Sequence, residues 1–158
     1  MSSNLNQKRI TTFLNEANKN SYANKNALKS ASLRPASKDY HFEKDNLIYH
    51  DTYFGERNFI GEEVIYDDNI PVWGANYYGF VIGEGIEEKD VADFLRQALM
   101  QECGDIIPVR GPVSFKNGKS EYRFNVSGDL ENFAGTEEIF FSGKIAYRLF
   151  IHGGTINN

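Results

Sequence analysis

Cysteine, proline and long hydrophobic segments are scarce in this chain of 158 residues. Cys103 is the only cysteine, so the sequence excludes an internal disulfide and a zinc site built on several cysteines. No stretch approaches the roughly 20 apolar residues that cross a bilayer, and the N-terminus shows no charged-then-apolar leader. These absences predict a cytoplasmic protein that has no membrane partner.

Positive charge and catalytic motifs are also in short supply. The 17 Lys and Arg residues are scattered against 22 Asp and Glu, for a formal charge of −5, so we expect no direct binding to nucleic acid. The three histidines (His41, His50 and His152) have no ligand-like spacing, and no phosphate-binding loop, HExxH motif or nucleophile elbow occurs. The sequence therefore predicts no metal site and no cofactor, and it carries no catalytic signature.

An internal repeat is the most informative feature that the chain does contain. The helical spacing of residues 10–17 (ITTFLNEA) recurs in residues 91–98 (VADFLRQA), and residues 61–79 align without a gap to residues 135–153. In that alignment Glu63 falls opposite Glu137. Self-similarity in a fixed order indicates a duplicated supersecondary unit.

Each copy has the pattern of one helix followed by four antiparallel strands. Residues 7–20 and the segment from about residue 87 to residue 103 carry apolar stripes at helical spacing, and Asn117-Gly118 predicts a tight hairpin. One helix on a four-stranded sheet leaves apolar surface uncovered, so the two units should pack or pair edges about a pseudo-twofold axis.

The predicted fold class is therefore α+β, with an internally duplicated unit of a helix plus a four-stranded antiparallel sheet. Residues 1–7 are polar, and we expect them to form a disordered N-terminus. Residues 8–158 should form a single domain made of two repeats, at about 8–82 and 87–156. The long connection over residues 21–38 is a candidate lid.

Two glutamates are the first candidate site residues. Strand alternation places Glu63 on the face of Ile65 and Glu137 on the face of Ile139, so both carboxylates point toward an apolar side. Burial and mutual repulsion would raise their pKa values, and a cation or a shared proton would relieve the repulsion. The alternative is that each glutamate marks the solvated start of a strand or bonds a backbone group, Arg34 or Arg110.

Aromatic residues form the second candidate set. Trp73 and Tyr77 share one strand face in a pattern typical of a core, but aromatic walls beside carboxylates also hold amines or flat rings. No residue is predicted to be catalytic. The candidate ligand-binding residues are Glu63, Glu137, Trp73, Tyr77, Tyr78, Tyr147, His152, Arg34 and Arg110.

Several motifs resemble those of a bacterial family of unknown function. They are YHDTYFG at residues 49–55, FIGEEV at 59–64 and PVWGANYYG at 71–79, followed by RGP at 110–112, GTE at 135–137 and HGG at 152–154. Members of that family occur alone or behind a Cro-like helix-turn-helix module. The resemblance implies a regulatory, ligand-sensing role for this chain, and His50 departs from the arginine common at that position.

Three functions remain open at the level of the sequence. The first is a small-molecule-binding or regulatory module, with a small-molecule ligand as its partner. The second is an enzyme that uses Glu63 and Glu137 as an acid–base pair. The third is a protein-interaction module, in which Tyr53, Phe54 and Phe59 form an exposed patch that contacts a second copy or a regulatory protein.

Overall fold

Eight antiparallel strands and two helices make up this protein, whose computed structural model describes residues 2–157, with side chains from residue 6. The helices are α1 (Ser2–Asn20) and α2 (Glu88–Leu99). The strands are β1 (Lys38–Lys44), β2 (Leu47–Gly55), β3 (Asn58–Asp67), β4 (Ile70–Val81), β5 (Ser114–Asn117), β6 (Ser120–Gly128), β7 (Asn132–Phe141) and β8 (Lys144–Thr155).

All eight strands belong to one continuous sheet, in the order β1-β2-β3-β4-β8-β7-β6-β5. The junction is the pairing of β4 with β8, which runs from Trp73 opposite Thr155 to Val81 opposite Tyr147. The predicted fold class of two helix-plus-four-strand units is therefore wrong. Pairing β4 with β8 satisfies backbone N–H and C=O groups that two separate sheets would leave exposed at their edges.

Strand content dominates over helix content, at 49 % against 18 %, so the protein is mainly an antiparallel β structure rather than α+β. Tight turns with positive φ connect the hairpins, as at Asp68 (φ 49°) and Asn69 (φ 66°) between β3 and β4. The predicted hairpin at Asn117-Gly118 joins β5 to β6, and Gly118 has a φ of 60°. These residues tolerate the left-handed backbone that two-residue hairpin turns require.

Both helices contribute to a single hydrophobic core with one face of the sheet, which we call the core face. Helix α1 begins at Ser2, five residues earlier than the predicted start, and buries Phe13 and Leu14. Helix α2 buries Phe94 and Leu95. A stripe of this kind at 3.6-residue spacing is what an amphipathic helix presents to a sheet.

The opposite face of the sheet, the outer face, carries its own apolar row at the centre. Ile60, Tyr78 and Phe150 lie on adjacent strands in direct register, and each is at least 43 % exposed. The Phe80 ring lies 5.9 Å from the Tyr78 ring and 6.4 Å from the Phe150 ring. The core face and the outer face therefore differ sharply in burial.

Gly61 on β3 gives a test of the packing on the core face. A Cβ at this position would overlap the ring and hydroxyl of Tyr77 and would lie 2.7 Å from the Thr52 carbonyl oxygen. We expect Gly61→Ala to lower the free energy of unfolding by about 2 kcal/mol, the middle of the range for overpacked cores. Urea unfolding followed by the fluorescence of Trp73, the only tryptophan, measures the change.

The matched control is Gly74→Ala on β4. The nearest atom to its Cβ is the Glu63 carbonyl oxygen at 3.2 Å, a contact that a small adjustment accommodates. We expect a loss of less than about 1 kcal/mol. Equal losses in the two variants would contradict the packing described for Tyr77.

Candidate functional site

A cavity of about 240 Å³ lies between α2 and the core face of the sheet. Strands β2, β3 and β4 form its floor, and α2 covers it with Val91, Ala92 and Leu95. Charged side chains surround its entrance: Lys38, Glu56, Glu88 and Lys89. Its inner lining combines rings with buried charged groups: Tyr22, Asp51, Tyr53, Phe59, Tyr77, Arg96, Arg110 and Tyr147.

A smaller cavity of about 20 Å³ adjoins the first. The two share Tyr22, Asp51 and Arg110 in their walls. Glu63 and Tyr49 line only the smaller one. Polar groups from several parts of the chain therefore converge at the inner end of the main cavity.

Arg110 and Glu137 form a buried ion pair with two hydrogen bonds. Arg110 Nε donates to Glu137 Oε2 at 2.9 Å, and Nη2 donates to Oε1 at 2.8 Å. The hydroxyls of Tyr122 (2.7 Å) and Tyr147 (3.0 Å) donate to the same carboxylate, which is fully buried. Burial opposes the charge of Arg110, but the Glu137 carboxylate holds the pKa of the guanidinium well above its usual value.

Tyr122 fixes the position of this pair relative to the connection between α2 and β5. Its hydroxyl accepts a hydrogen bond from the Gly111 backbone N–H at 3.1 Å, next to Arg110. Gly111 has no room for a side chain, because a Cβ would lie 2.9 Å from the same hydroxyl oxygen. The RGP segment therefore positions the guanidinium by backbone contact as well as by charge.

Asp51 is the second buried carboxyl group, and it lines both cavities. Tyr77 donates to its Oδ1 at 2.7 Å. Burial raises the pKa of Asp51 to about 6, against the lowering effects of Tyr77 and Arg110. At pH 7 most of the Asp51 carboxyl is therefore ionised.

Glu63 lies directly opposite Asp51 in the pairing of β2 with β3. It is 3 % exposed, and its Oε2 has no hydrogen-bond partner among residues 6–157. Burial, followed by the charge of Asp51, raises the pKa of Glu63 to about 8, although Arg110 and the Tyr49 hydroxyl lower it. Because like charges on facing residues repel, the site holds Glu63 neutral and Asp51 ionised at pH 7.

Four of the predicted ligand-binding residues lie at this site, and a fifth supports it. Tyr77, Tyr147 and Arg110 line the main cavity, and Glu63 lines the smaller one. Glu137 lines neither cavity and holds Arg110 instead.

The other four predicted residues lie elsewhere. Trp73 is in the core, where its Nε1 donates to the Leu130 carbonyl oxygen at 3.0 Å. Tyr78 and His152 are exposed on the outer face. Arg34 forms an exposed ion pair with Glu62 at 2.7 Å. The structure therefore does not bring these four into the cavity.

Sequence reasoning missed Asp51, Tyr22, Tyr53 and Phe59 as cavity residues. Alternation along β2 does put Asp51 on the face of Tyr53, and that pattern was the available signal. The side-chain hydrogen bond to Asp51 comes from Tyr77. Tyr22 could not be found in this way, because it lies in an irregular connection that has no repeating pattern of apolar residues.

A fourth buried acid, Asp39, anchors the connection that precedes β1. It accepts hydrogen bonds from Ser37 and from Thr52 (2.6 Å), and His50 Nε2 lies 3.2 Å away. Desolvation opposes the charge of Asp39, but the two hydroxyls and His50 lower its pKa below the usual value. Asp39 is fully satisfied and faces away from the cavity, so we assign it a structural role.

Other kinds of site find little support in the part of the chain with described side chains. That part contains no cluster of three or more His, Cys, Asp or Glu residues that could hold a metal ion. Cys103 is half-buried, burial raises its pKa, and its Sγ lies 3.2 Å from the Arg110 carbonyl oxygen. Neither described helix is long and apolar enough to cross a membrane.

The protein is therefore a single antiparallel sheet with a cavity, lined in part by acidic residues, under one helix. The chain belongs to the family described as "Domain of unknown function (DUF5680)", which matches residues 51–156. The matched span begins at Asp51 and includes Glu63, Arg110 and Glu137. No curated protein and no solved structure matches the chain.

The Arg110–Glu137 pair can be tested by removing the cation alone. We expect Arg110→Met to lower the free energy of unfolding by about 3 kcal/mol or more, because it leaves the Glu137 charge buried without a partner. The control is Arg148→Met, which breaks a partly exposed pair with Glu138 and should cost less than about 1 kcal/mol. Urea titrations that gave equal losses would contradict the buried pair.

The raised pKa of Glu63 predicts a specific pH dependence of stability. The folded state holds a proton up to about pH 8 that the unfolded state releases near pH 4.5, so folding stability falls as pH rises through this interval. Between pH 6.5 and 8.5 the loss from this group is on the order of 2 kcal/mol. We expect Glu63→Gln to remove that part of the slope.

Thermal or urea unfolding across this pH interval provides the measurement. Glu62→Gln is the matched control. Glu62 is next to Glu63 in the sequence, but its carboxylate lies on the outer face in an exposed pair with Arg34. The control should keep the wild-type slope. A Glu63→Gln variant with an unchanged slope would show that Glu63 titrates normally.

Proposed function

We propose that this protein is a small-molecule-binding module whose ligand occupies the cavity beneath α2. The observation that supports it is a cavity of about 240 Å³ lined by aromatic rings, by the buried carboxyl group of Asp51 and by Arg110. Pockets that hold drug-sized ligands are roughly 300–1,000 Å³, so this one suits a smaller, metabolite-sized compound.

A regulatory, ligand-sensing role extends this proposal. Arg96 on α2 donates to the Tyr22 carbonyl oxygen at 3.2 Å and lies 4.7 Å over the Tyr22 ring. Both residues line the cavity, and Tyr22 follows α1 directly. A ligand that moves either residue would change the contact between the two helices. Binding in the cavity would then alter the surface that the helices form.

The rival functions have less support. Both oxygens of Glu137 are occupied by Arg110, Tyr122 and Tyr147, so the carboxylate has no free position for acid–base work with Glu63. In the interaction-module hypothesis, Tyr53 and Phe59 should be exposed, but both turn toward the cavity. Assembly with a second copy or with a regulatory partner stays a prediction.

A thermal-shift screen with a broad library of metabolites tests the binding proposal. A ligand at a hundredfold excess over its Kd should add roughly 2.7 kcal/mol of apparent stability. We expect hits on the native chain that disappear in Ala92→Phe, because the added ring would fill the cavity from α2.

The matched control is Gln97→Phe, which adds the same ring at an exposed position of α2 that does not line the cavity. It should keep the hits. A screen with no hit on the native chain, or hits that survive Ala92→Phe unchanged, would contradict the proposal.

A further inference from the structure

The inner end of the cavity has an excess of acidic groups. Three carboxyl groups, Asp51, Glu63 and Glu137, surround a single guanidinium, that of Arg110. Glu137 takes two of the hydrogen bonds that Arg110 can donate, and two tyrosine hydroxyls complete its shell. Arg110, the buried cation of this cluster, is therefore paired with Glu137 and not with Asp51 or Glu63.

The two remaining acids are buried and lie opposite each other. Asp51 is 4 % exposed and accepts a hydrogen bond from Tyr77. Oε2 of Glu63 is buried and has no hydrogen-bond partner among residues 6–157. An unsatisfied buried polar atom costs free energy, so a donor supplied by a ligand would be stabilising here.

The basic residues nearer the entrance do not donate to these two acids, because each has other partners. Lys38 contacts Glu56 at 3.0 Å and lies 5.5 Å over the Tyr53 ring. Lys89 contacts Asp93 at 3.1 Å. Arg96 is held by the Tyr22 carbonyl oxygen and lies 3.8 Å from Asp93.

Aromatic rings form the walls around the carboxyl group of Asp51. The Phe59 ring stacks on Tyr147 at 6.2 Å and meets the edge of Tyr77 at 6.1 Å. Tyr22 and Tyr53 complete the lining from the other side. The faces of such rings attract cations, most strongly where water is excluded.

We propose that the ligand of this cavity is a small organic cation, a protonated amine whose ammonium group is bound by Asp51 and whose body lies among the aromatic walls. This inference rests on the proposed function and specifies its ligand class. The ammonium donates a charge-assisted hydrogen bond to the Asp51 carboxylate and offsets the surplus of acidic groups.

The pH dependence follows from the groups that face Asp51. Below about pH 6 Asp51 is largely protonated and attracts a cation weakly, so binding should tighten about tenfold between pH 5 and pH 7. Amine binding should also release a proton from the Asp51–Glu63 pair. The titratable or charged groups around Asp51 are Tyr22, Lys38, Asp39, Tyr40, Tyr49, Tyr53, Glu56, Glu63, Tyr77, Glu88, Lys89, Arg96, Arg110 and Tyr147.

Three probes that share one ring but differ in charge test this proposal. They are 2-phenylethylamine, 2-phenylethanol and 3-phenylpropanoate, titrated into the full chain at pH 7 with binding followed by NMR or calorimetry. We expect the amine to bind at least tenfold tighter than the alcohol, the carboxylate to bind weakest, and the preference for the amine to shrink about tenfold at pH 5.

The variant Asp51→Asn should lose the preference for the amine over the alcohol, whereas Glu62→Gln, on the outer face, should retain it. If Asp51→Asn fails to fold, the comparison of the three probes at two pH values in the native chain decides the question alone. An alcohol or carboxylate that binds as tightly as the amine would overturn this inference.

The wider metabolite screen separates this inference from the proposed function. Cavity-dependent hits that are all neutral or anionic would overturn the cation inference and leave a small-molecule-binding role intact. The absence of any hit in the screen and among the three probes would remove both. Cavity-dependent hits dominated by amines would support both.

Discussion

The ion pair between Arg110 and Glu137 is the interaction on which the interior of this protein depends. It puts a guanidinium on the core face of a sheet, where burial alone would oppose its charge, and it does so with two hydrogen bonds and two tyrosine hydroxyls. A buried pair contributes little net stability over apolar packing. The pair instead fixes the position of the Arg110 charge beside the cavity.

The rest of the cavity follows from that fixed charge. Glu137 neutralises most of the guanidinium, so Arg110 lowers the pKa values of Asp51 and Glu63 only in part, and burial prevails for both. The facing pair then divides into one carboxyl group that is mostly ionised near pH 7 and one that is neutral. Perturbed groups of this kind beside a cavity are typical of binding sites and of strained structural clusters alike. The aromatic walls and the unpaired Glu63 oxygen distinguish this site from the fully satisfied cluster around Asp39.

Sequence reasoning captured the local structure well. Hairpin turns at residues that tolerate positive φ, the two amphipathic helices and the inward direction of Glu63 and Glu137 all follow from short-range patterns. Arg110 was among the partners considered for a glutamate, and it does bind Glu137. Arg34 was considered as well, but it binds Glu62, which lies on the other face of the same strand as Glu63.

The long-range arrangement could not be obtained from the sequence. Nothing in the pattern of β4 or β8 specifies that these two strands join, because any two apolar antiparallel edges satisfy each other's backbone groups. The same limit applies to the cavity. Tyr22 reaches it from an irregular connection, and Trp73 lies on the core face of β4 like Tyr77 but packs against Phe133 instead.

Residue-specific carboxyl ¹³C NMR during a pH titration tests the central claim most directly, since it reports the protonation of each buried acid. With a charged Arg110 paired to Glu137, the Glu63 resonance should titrate near pH 8 and the Asp51 resonance near pH 6, with Glu63 neutral at pH 7. Midpoints for both residues at the ordinary values near pH 4 would contradict the account, because the acids would then be solvated and the cavity would not be the low-dielectric site described here.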